Sequence, residues 1–484
     1  MVKLFKENII SYAFVIILCI PLLFINIKDS HDWGDDFAQY IHQAINITKG
    51  IPQSDIGVID DGDGPGVHVS TRPVGFPLIL APVYSLFGNS IKAFSITISF
   101  ILILLCLVLF IYFNKNFNIL SSLLLVLIFA YNPFTLNFKM EIMSDIPFTL
   151  FLISSILIYS IKEGNKLVKY LITGIFIAIL ISIRTIGVVL LAAIIIDDLR
   201  KLYINRGNKN ETMEIVKGLS LIITIVFLIT FRTINFAYFS SISLGNSLGM
   251  LGTKLGYYIQ MFQNYFMSGG GRFPLFAKFT QWFIIIFTVV GLLMKWLAGI
   301  DFIDIFIFIY FIVLLFYPDM HSGMRFLFPI FPLLFYYTVF GLRMIPVRSL
   351  IMQFVVTLSL GLFILIPYSF SLSNSIQHQH ETLQGPQEKE SVEAFDYIKN
   401  NLPADGIIAF NKPRVLALYT DRQVYAFRKK SPNDMAERFK GKNGIYLLTC
   451  TELPDESIDS AIINYPEQVN LIWSNAKFKL YSLK

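Results

Sequence analysis

Eleven stretches of this chain carry no charge or almost none, and most approach the length a helix needs to cross a membrane. They fall at about 9–27, 94–113, 119–138, 146–161, 170–183, 185–196, 218–231, 283–294, 302–317, 326–342 and 351–371. A helix needs about 20 apolar residues to traverse about 30 Å of hydrocarbon. Composition agrees, since 55% of the 484 residues are hydrophobic and 15% are charged, whereas a water-soluble domain carries about 25% charged residues. The expected fold class is therefore a membrane all-α bundle of about 11 transmembrane helices.

The charged connections alternate in character. Lys3/Lys6, Lys115, Lys162/Lys166/Lys169, the cluster from Arg200 to Lys217, Lys295 and Arg343/Arg348 are basic, and such loops face the cytoplasm. The segments 28–93, 139–145, 232–280 and 318–325, with everything after about 371, are then expected outside. One place decides the parity. A single helix over 170–196 would put two basic clusters on opposite sides, so two short passes with Arg184 at their tip are preferred. Arms of about 14 and 12 residues would reach only about 20 Å, leaving that tip below the outer surface.

Other classes are disfavoured. A net charge of +6 does not indicate nucleic acid, and Cys19, Cys106 and Cys450 are too scattered for a disulfide framework or a CxxC metal site. The run after Lys3 and Lys6 is longer than a signal-peptide core and lacks a small-residue cleavage site, which favours a retained first helix.

The first outer segment, 28–93, is acidic, and Asp36–Lys49 has the apolar spacing of an amphipathic helix at the interface. Gly57–Gly66 reads as a loop, and Pro77–Phe87 is apolar but short. Beyond 371 the composition is that of a small α/β domain: a helix over Ser391–Asn401, a turn at Pro403–Gly406, and strand-like stretches at 406–410, 423–427, 444–449 and 469–473. The expected domains are thus a transmembrane domain, 1–371, and a soluble extracytoplasmic domain, 372–484.

Three sets of residues can carry chemistry. Trp33-Gly34-Asp35-Asp36 places paired carboxylates after the first span, suited to a base or a metal, or else to capping the helix that follows. Glu141 and Asp145 occupy the short outer turn after the third span, where acids are costly and usually face a cavity or a partner; Ser144 or Asp145 capping the next helix is the alternative. Arg72, Arg184 and Arg325 all fall on the outer side at or near membrane depth, and guanidinium suits phosphate through bidentate hydrogen bonds, though Arg72 and Arg325 could instead snorkel to headgroups. His321 and His68 are candidate metal or proton ligands.

Taken in order, Trp33-Gly34-Asp35-Asp36-(x)3-Tyr40, Arg72-Pro73-Val74-Gly75-Phe76-Pro77-Leu78, Ser144-Asp145-Ile146-Pro147-Phe148 and the Arg325–Pro332 segment resemble the GT-C glycosyltransferases. The likeness is to the branch holding protein O-mannosyltransferases and the lipid A aminoarabinose transferase, and Tyr397–Gly406 is similar to the opening of their outer domain. The resemblance implies transfer of a sugar from a polyprenyl-phosphate donor to a lipid, protein or cell-envelope glycan acceptor at the outer membrane face, with inversion. It makes Asp35 the base or acceptor-orienting group, Asp36 its acidic neighbour and Asp145 the acid completing the site. It makes Arg72 and Arg184 contacts of the carrier phosphate, with Arg325 in the family's Arg-Tyr/Phe-x-x-Pro segment joining them. A divalent metal is left open and no nucleotide cofactor is expected. Thr71-Arg72-Pro73-Val74 departs from the Pro-Pro or Lys-Pro common there. The competing reading is a membrane transporter or flippase for a lipid-linked sugar, for which Asp304 is the main mid-span acid; a non-catalytic surface protein is a third.

Overall fold

A computed structural model of the chain describes residues 9–60, 72–231, 249–266, 274–317, 323–343, 350–427 and 432–483. The chain divides into two compact units, Met1–Ile27 with Ile96–Gln379, and Lys28–Ser95 with His380–Lys484.

The first unit is helical and multi-pass. Among the described residues, six helices are long and apolar enough to cross a membrane: Ile91–Asn114, Lys166–Ile183, Lys209–Thr230, Lys278–Ala298, Gly323–Leu342 and Thr357–Gln377. A bent pair, Ile119–Ala130 and Pro133–Met140, makes a seventh, while Ile9–Leu23, Asp145–Tyr159 and Phe302–Phe316 are shorter apolar helices. Large apolar side chains such as Leu228 and Leu297 stand exposed on these helices, as lipid-facing positions do.

The run expected at 119–138 is broken by Asn132-Pro133, where the two pieces meet at 52°. Proline supplies no amide proton and is at ease in a first helical turn. Asn132 accepts from the Phe134 amide at 2.9 Å and donates to the Tyr265 carbonyl and the Tyr368 hydroxyl, each at 2.7 Å. The fully buried Lys139 closes the end of the first helix by donating to the carbonyls of Leu22 (3.0 Å) and Ile25.

At Arg184 the backbone is extended, and the chain continues through a 3-10 turn, Thr185–Gly187, into the helix Val188–Ile204. Tyr170, near the start of the first arm, donates to Asp198, near the end of the second, at 2.9 Å. The arms are therefore antiparallel, as loop charge requires, and Lys166/Lys169 share an end with Arg200/Lys201. The arms are longer than expected, at 18 and 17 residues, or about 26 Å at 1.5 Å per residue. The extra turns carry charge in paired form: Lys201 lies 2.6 Å from Asp197 and 3.0 Å from Asp198, and Tyr159 donates to Asp198 at 2.5 Å.

Asp304, the main acid within an apolar run and close to a helix end by sequence, is an end-of-helix group. It forms a reciprocal capping box with Asp301 at the start of Phe302–Phe316, and it accepts from the Tyr337 hydroxyl at 2.6 Å. The helices Pro274–Ala298 and Phe331–Leu342 pack at Gly291 and Gly341, where an added Cβ would overlap the facing backbone at Tyr337 and Phe287. Small residues of this kind let membrane helices approach closely.

The second unit is α/β. Its sheet contains β1 (Val58–Ile59), β2 (Ile407–Ala409), β3 (Gln423–Tyr425), β4 (Ile445–Cys450), β5 (Val469–Ser474) and β6 (Phe478–Leu483), in the order β1-β3-β2-β4-β6-β5. Pairing is parallel from β1 to β4 and antiparallel through β6 to β5. Four strands lie where sequence puts them. The first outer segment adds the edge strand β1, pairing Val58 with Val424, so residues 28–95 are built into one unit with 380–484. The last apolar helix, Leu350–Gln377, runs past residue 371 before that unit resumes at His380.

The helix Asp36–Lys49 forms where its periodicity places it and ends on Gly50 in the left-handed conformation, φ 68°. Its apolar face is not an open interfacial surface. Phe37, Tyr40, Ile41 and Ala44 are buried within the second unit, and Tyr40 meets Phe76 of the helix Gly75–Phe87 edge to face at 4.8 Å. Gln39, Gln43 and Asn46 are buried too, a cost that only satisfied hydrogen bonds offset, and those bonds lead to the candidate site.

Candidate active site

Two charge clusters gather the sequence-selected residues, one in each unit. In the second unit Asp35 precedes the helix Asp36–Lys49 at the capping position, but its side chain makes no capping hydrogen bond. The carboxylate instead turns to Arg414, with Oδ2 3.1 Å from Nη1. Its Oδ1 is buried and has no hydrogen-bond partner among the described residues. Burial pushes the Asp35 carboxyl above the usual carboxylate range. Arg414 opposes that shift, Asp36 adds to it, and Lys412 and the Arg414 amide oppose it more weakly.

Asp36 pairs with Arg72 through Oδ1, and the same oxygen lies 3.5 Å from Arg414 Nη1. Arg72 is fixed from several directions. Its Nε donates to Gln39 Oε1 at 3.1 Å, and the Gln43 side-chain amide bonds the Arg72 main chain both ways, at 3.0 Å each. The buried glutamines of the helix therefore serve to hold one arginine beside one aspartate. Just upstream, Asp32 accepts from the Gly34 amide at 2.9 Å, and His31 at 2.9 Å holds the Asp32 carboxyl below its ordinary range. Trp33 packs edge-on to Phe395 and Phe410, at 6.4 and 6.1 Å, anchoring the motif on the sheet layer.

The second cluster lies in the first unit. Asp145 opens the helix Asp145–Tyr159, and neither it nor Ser144 makes a side-chain capping bond there. The Asp145 side chain is fully buried. It pairs with Arg184 through Oδ1 and lies 3.3 Å from Arg325 Nε through Oδ2. Arg184, at the break of the hairpin, sits between Phe148 and Phe326, its Cζ 5.8 and 5.9 Å from the ring centroids. The Tyr310 hydroxyl donates to the Phe326 carbonyl at 2.7 Å, fixing the segment that carries Arg325. The preceding turn is strained: Ile142 is a buried β-branched residue with φ 49°, a conformation such residues avoid.

Glu141 is the C-terminal cap residue of Pro133–Met140, its amide donating to the Asn137 carbonyl at 2.9 Å. His321 and His68 lie outside the described residues. Among the described residues, no group of three or more His, Cys, Asp or Glu side chains is arranged to hold a metal ion. Sequence reading missed Arg414, Gln39 and Gln43. Arg414 follows the strand-like stretch 406–410, where Pro413 starts a helix, and that strand–helix junction was the available signal.

Residues 71–232 match the family model for dolichyl-phosphate-mannose-protein mannosyltransferase. No curated protein sequence matches the chain at a significant level. Among solved structures, ArnT from Cupriavidus metallidurans bound to undecaprenyl phosphate is similar over 97% of both chains, at 10% identity and a TM-score of 0.58. The Archaeoglobus fulgidus oligosaccharyltransferase tethered to an acceptor peptide containing the NVT sequon is similar over 93% of this chain and 70% of its own, at 11% identity and a TM-score of 0.56. The archaeal oligosaccharyltransferase AglB from the same organism, in complex with an inhibitory peptide and a dolichol-phosphate, gives 12% identity, a TM-score of 0.55 and the same coverage. At these identities the structures speak for the fold, and the family match falls on the part of the chain holding Arg72, Asp145 and Arg184. The chain thus shares the fold of these membrane glycosyltransferases, and its residues 71–232 match the mannosyltransferase family model.

Proposed function

We propose that this protein transfers a sugar from a polyprenyl-phosphate donor to a hydroxyl of a lipid, protein or cell-envelope glycan acceptor at the outer face of the membrane, with inversion at the anomeric carbon. The observation that carries the reading is the Asp35 carboxylate, one oxygen on Arg414 and the other buried without a partner. A half-buried carboxylate with one buried, unused oxygen and a raised pKa has the properties of a general base. In the reaction the acceptor oxygen bonds to the anomeric carbon as the bond from that carbon to the phosphate oxygen breaks. The acceptor proton passes to Asp35, and the electron pair leaves with the polyprenyl phosphate.

The leaving phosphate needs positive charge placed in advance, since fixed charge stabilises a developing anion without reorganisation. Arg184 and Arg325 have this character, and we assign them to the donor phosphate. Asp145 reaches both arginines of its own cluster, and its role is to hold them in place. Two of the similar structures contain undecaprenyl phosphate and dolichol-phosphate, which supports a carrier of that class. The outer-face location of the second unit rests on the basic loops around 162–169, 200–217, 295 and 343, which the positive-inside rule assigns to the cytoplasm.

A transporter would be favoured by ionisable groups deep in its spans, but Asp304 is occupied in a helix cap. The test is sugar transfer from purified lipid donor by wild type and Asp35→Asn. Loss of transfer with retained folding and donor binding is expected, and a wild-type rate in Asp35→Asn would remove the catalytic assignment.

A further inference from the structure

Among the described residues, the basic side chain that pairs with Asp35 is Arg414, at 3.1 Å. We propose that Arg414, supplied by the C-terminal segment, is a positioning residue that keeps Asp35 ionised and turned with one oxygen free. The proposal rests on the reading of Asp35 as the base.

The geometry lies within one compact unit. Arg414 is the second residue of the helix Pro413–Thr420. Its Nη1 reaches Asp35 Oδ2 at 3.1 Å and Asp36 Oδ1 at 3.5 Å, so one guanidinium spans both carboxylates of the motif. The main-chain amide of Arg414 also favours the Asp35 anion, and the start of a helix carries partial positive charge that acts in the same sense. The helix is anchored, since Val415, Leu416 and Ala417 are buried. A cation on a fixed support therefore meets a carboxylate whose pKa burial raises.

The need for such a cation follows from the other groups facing Asp35. Asp36, its neighbour, repels a second negative charge, and Arg72 neutralises Asp36 rather than Asp35. Lys412, the residue just before the helix that carries Arg414, contributes less. Upstream, Asp32 is paired with His31 at 2.9 Å. Without Arg414 the balance around Asp35 is burial and a neighbouring anion against one lysine. Both of the first two favour the protonated acid, which cannot accept a proton.

An opposite charge at this range shifts a carboxyl by about one to three pH units. The test is isotope-edited difference infrared titration of the full-length protein in lipid, taking wild type minus Asp35→Asn to isolate the Asp35 carboxyl band. Arg414→Gln is expected to raise its midpoint by about one to three pH units, and Arg414→Lys, which keeps the charge, to restore it most of the way. The acid limb of sugar transfer should move with the midpoint. An unmoved midpoint in a folded Arg414→Gln protein would overturn the proposal, because a merely structural arginine lowers the rate at every pH without moving it. A midpoint that rises while the acid limb stays put would uphold the role of Arg414 and refute Asp35 as the base. If Arg414→Gln does not fold, Arg414→Lys and Lys412→Gln carry the comparison: the lysine variants should move the midpoint less than Asp36→Asn, and the reverse order would overturn the proposal.

Discussion

At the scale of residues, acidic and basic side chains are held in pairs that differ in what they leave exposed to reaction. Asp145 uses both oxygens on arginines and is fully buried, whereas Asp35 uses one. Removing one arginine from the Asp145 cluster should therefore affect the donor and not the acceptor. Arg184→Gln is expected to weaken donor binding about 10- to 100-fold, the worth of a hydrogen bond to a charged group of about 1.5–3 kcal/mol. Titration of polyprenyl phosphate against the purified variant measures it, and unchanged affinity would remove Arg184 from the phosphate site. For Asp35 the sign of the pH dependence is fixed. Its pKa is raised in the folded protein, so transfer should fall as pH drops through a value above the usual carboxylate figure of about 3.9. The linked stability term runs the opposite way: a raised carboxyl favours the folded state at low pH and costs stability as pH rises through the unfolded pKa toward the folded one. Asp35→Asn should consequently leave the melting temperature near neutral pH unchanged or higher, and a large drop would mark Asp35 as a structural ion-pair member instead.

Several of these residues could be picked out in sequence and others could not, for physical reasons. Asp35, Asp145 and the three arginines stood out because charge beside hydrocarbon is costly and needs a purpose. Whether the two aspartates were caps was undecided, because a cap and a catalytic acid share the same position before a helix. Only side-chain direction separates them. Arg414 was invisible because it lies over 370 residues from its partner in an ordinary basic stretch, and only the fold of the second unit joins them.

At the scale of elements, the apolar runs identified the helices but not their true ends. The arms of the Arg184 hairpin extend through Lys166, Lys169, Asp197, Asp198, Arg200 and Lys201, because paired charges are tolerated in a helix that a hydropathy count would stop short of. The bend at Asn132-Pro133 went unread since the run 119–138 around it carries no charge. β1 was equally obscure: two residues, Val58 and Ile59, become a strand only beside β3. Close packing yields a prediction here. Gly341 faces the backbone of Phe287, and no side chain fits without moving the helix. Gly341→Val should destabilise the first unit by about 1–3 kcal/mol, the usual cost of overpacking, read as a lowered unfolding temperature in detergent. An unchanged temperature would show that Pro274–Ala298 and Phe331–Leu342 are free to separate.

At the scale of the whole molecule, the described residues form a multi-pass helical unit and an α/β unit whose boundaries differ from those expected from sequence. The first outer segment was expected to belong to the transmembrane part. Its helix Asp36–Lys49, its strand β1 and its catalytic candidates are instead built into the unit formed with the C-terminal segment, because the apolar face of that helix is covered by Phe76 and its neighbours and the edge of the sheet is completed by Val58. The acid we assign as base and the arginine we propose to steady it thus come from opposite ends of the chain, while Arg184 and Arg325, which we assign to the donor phosphate, come from the helical unit. The central claim, that the molecule breaks a polyprenyl-phosphate–sugar bond with inversion, is tested most directly by single-turnover transfer with purified protein and an anomerically pure donor, followed by the anomeric configuration of the product. The account predicts one equivalent of polyprenyl phosphate released per sugar transferred, an inverted anomeric centre, and no release by Asp35→Asn. Retention of configuration, or movement of intact donor across a sealed vesicle without bond cleavage, would contradict it.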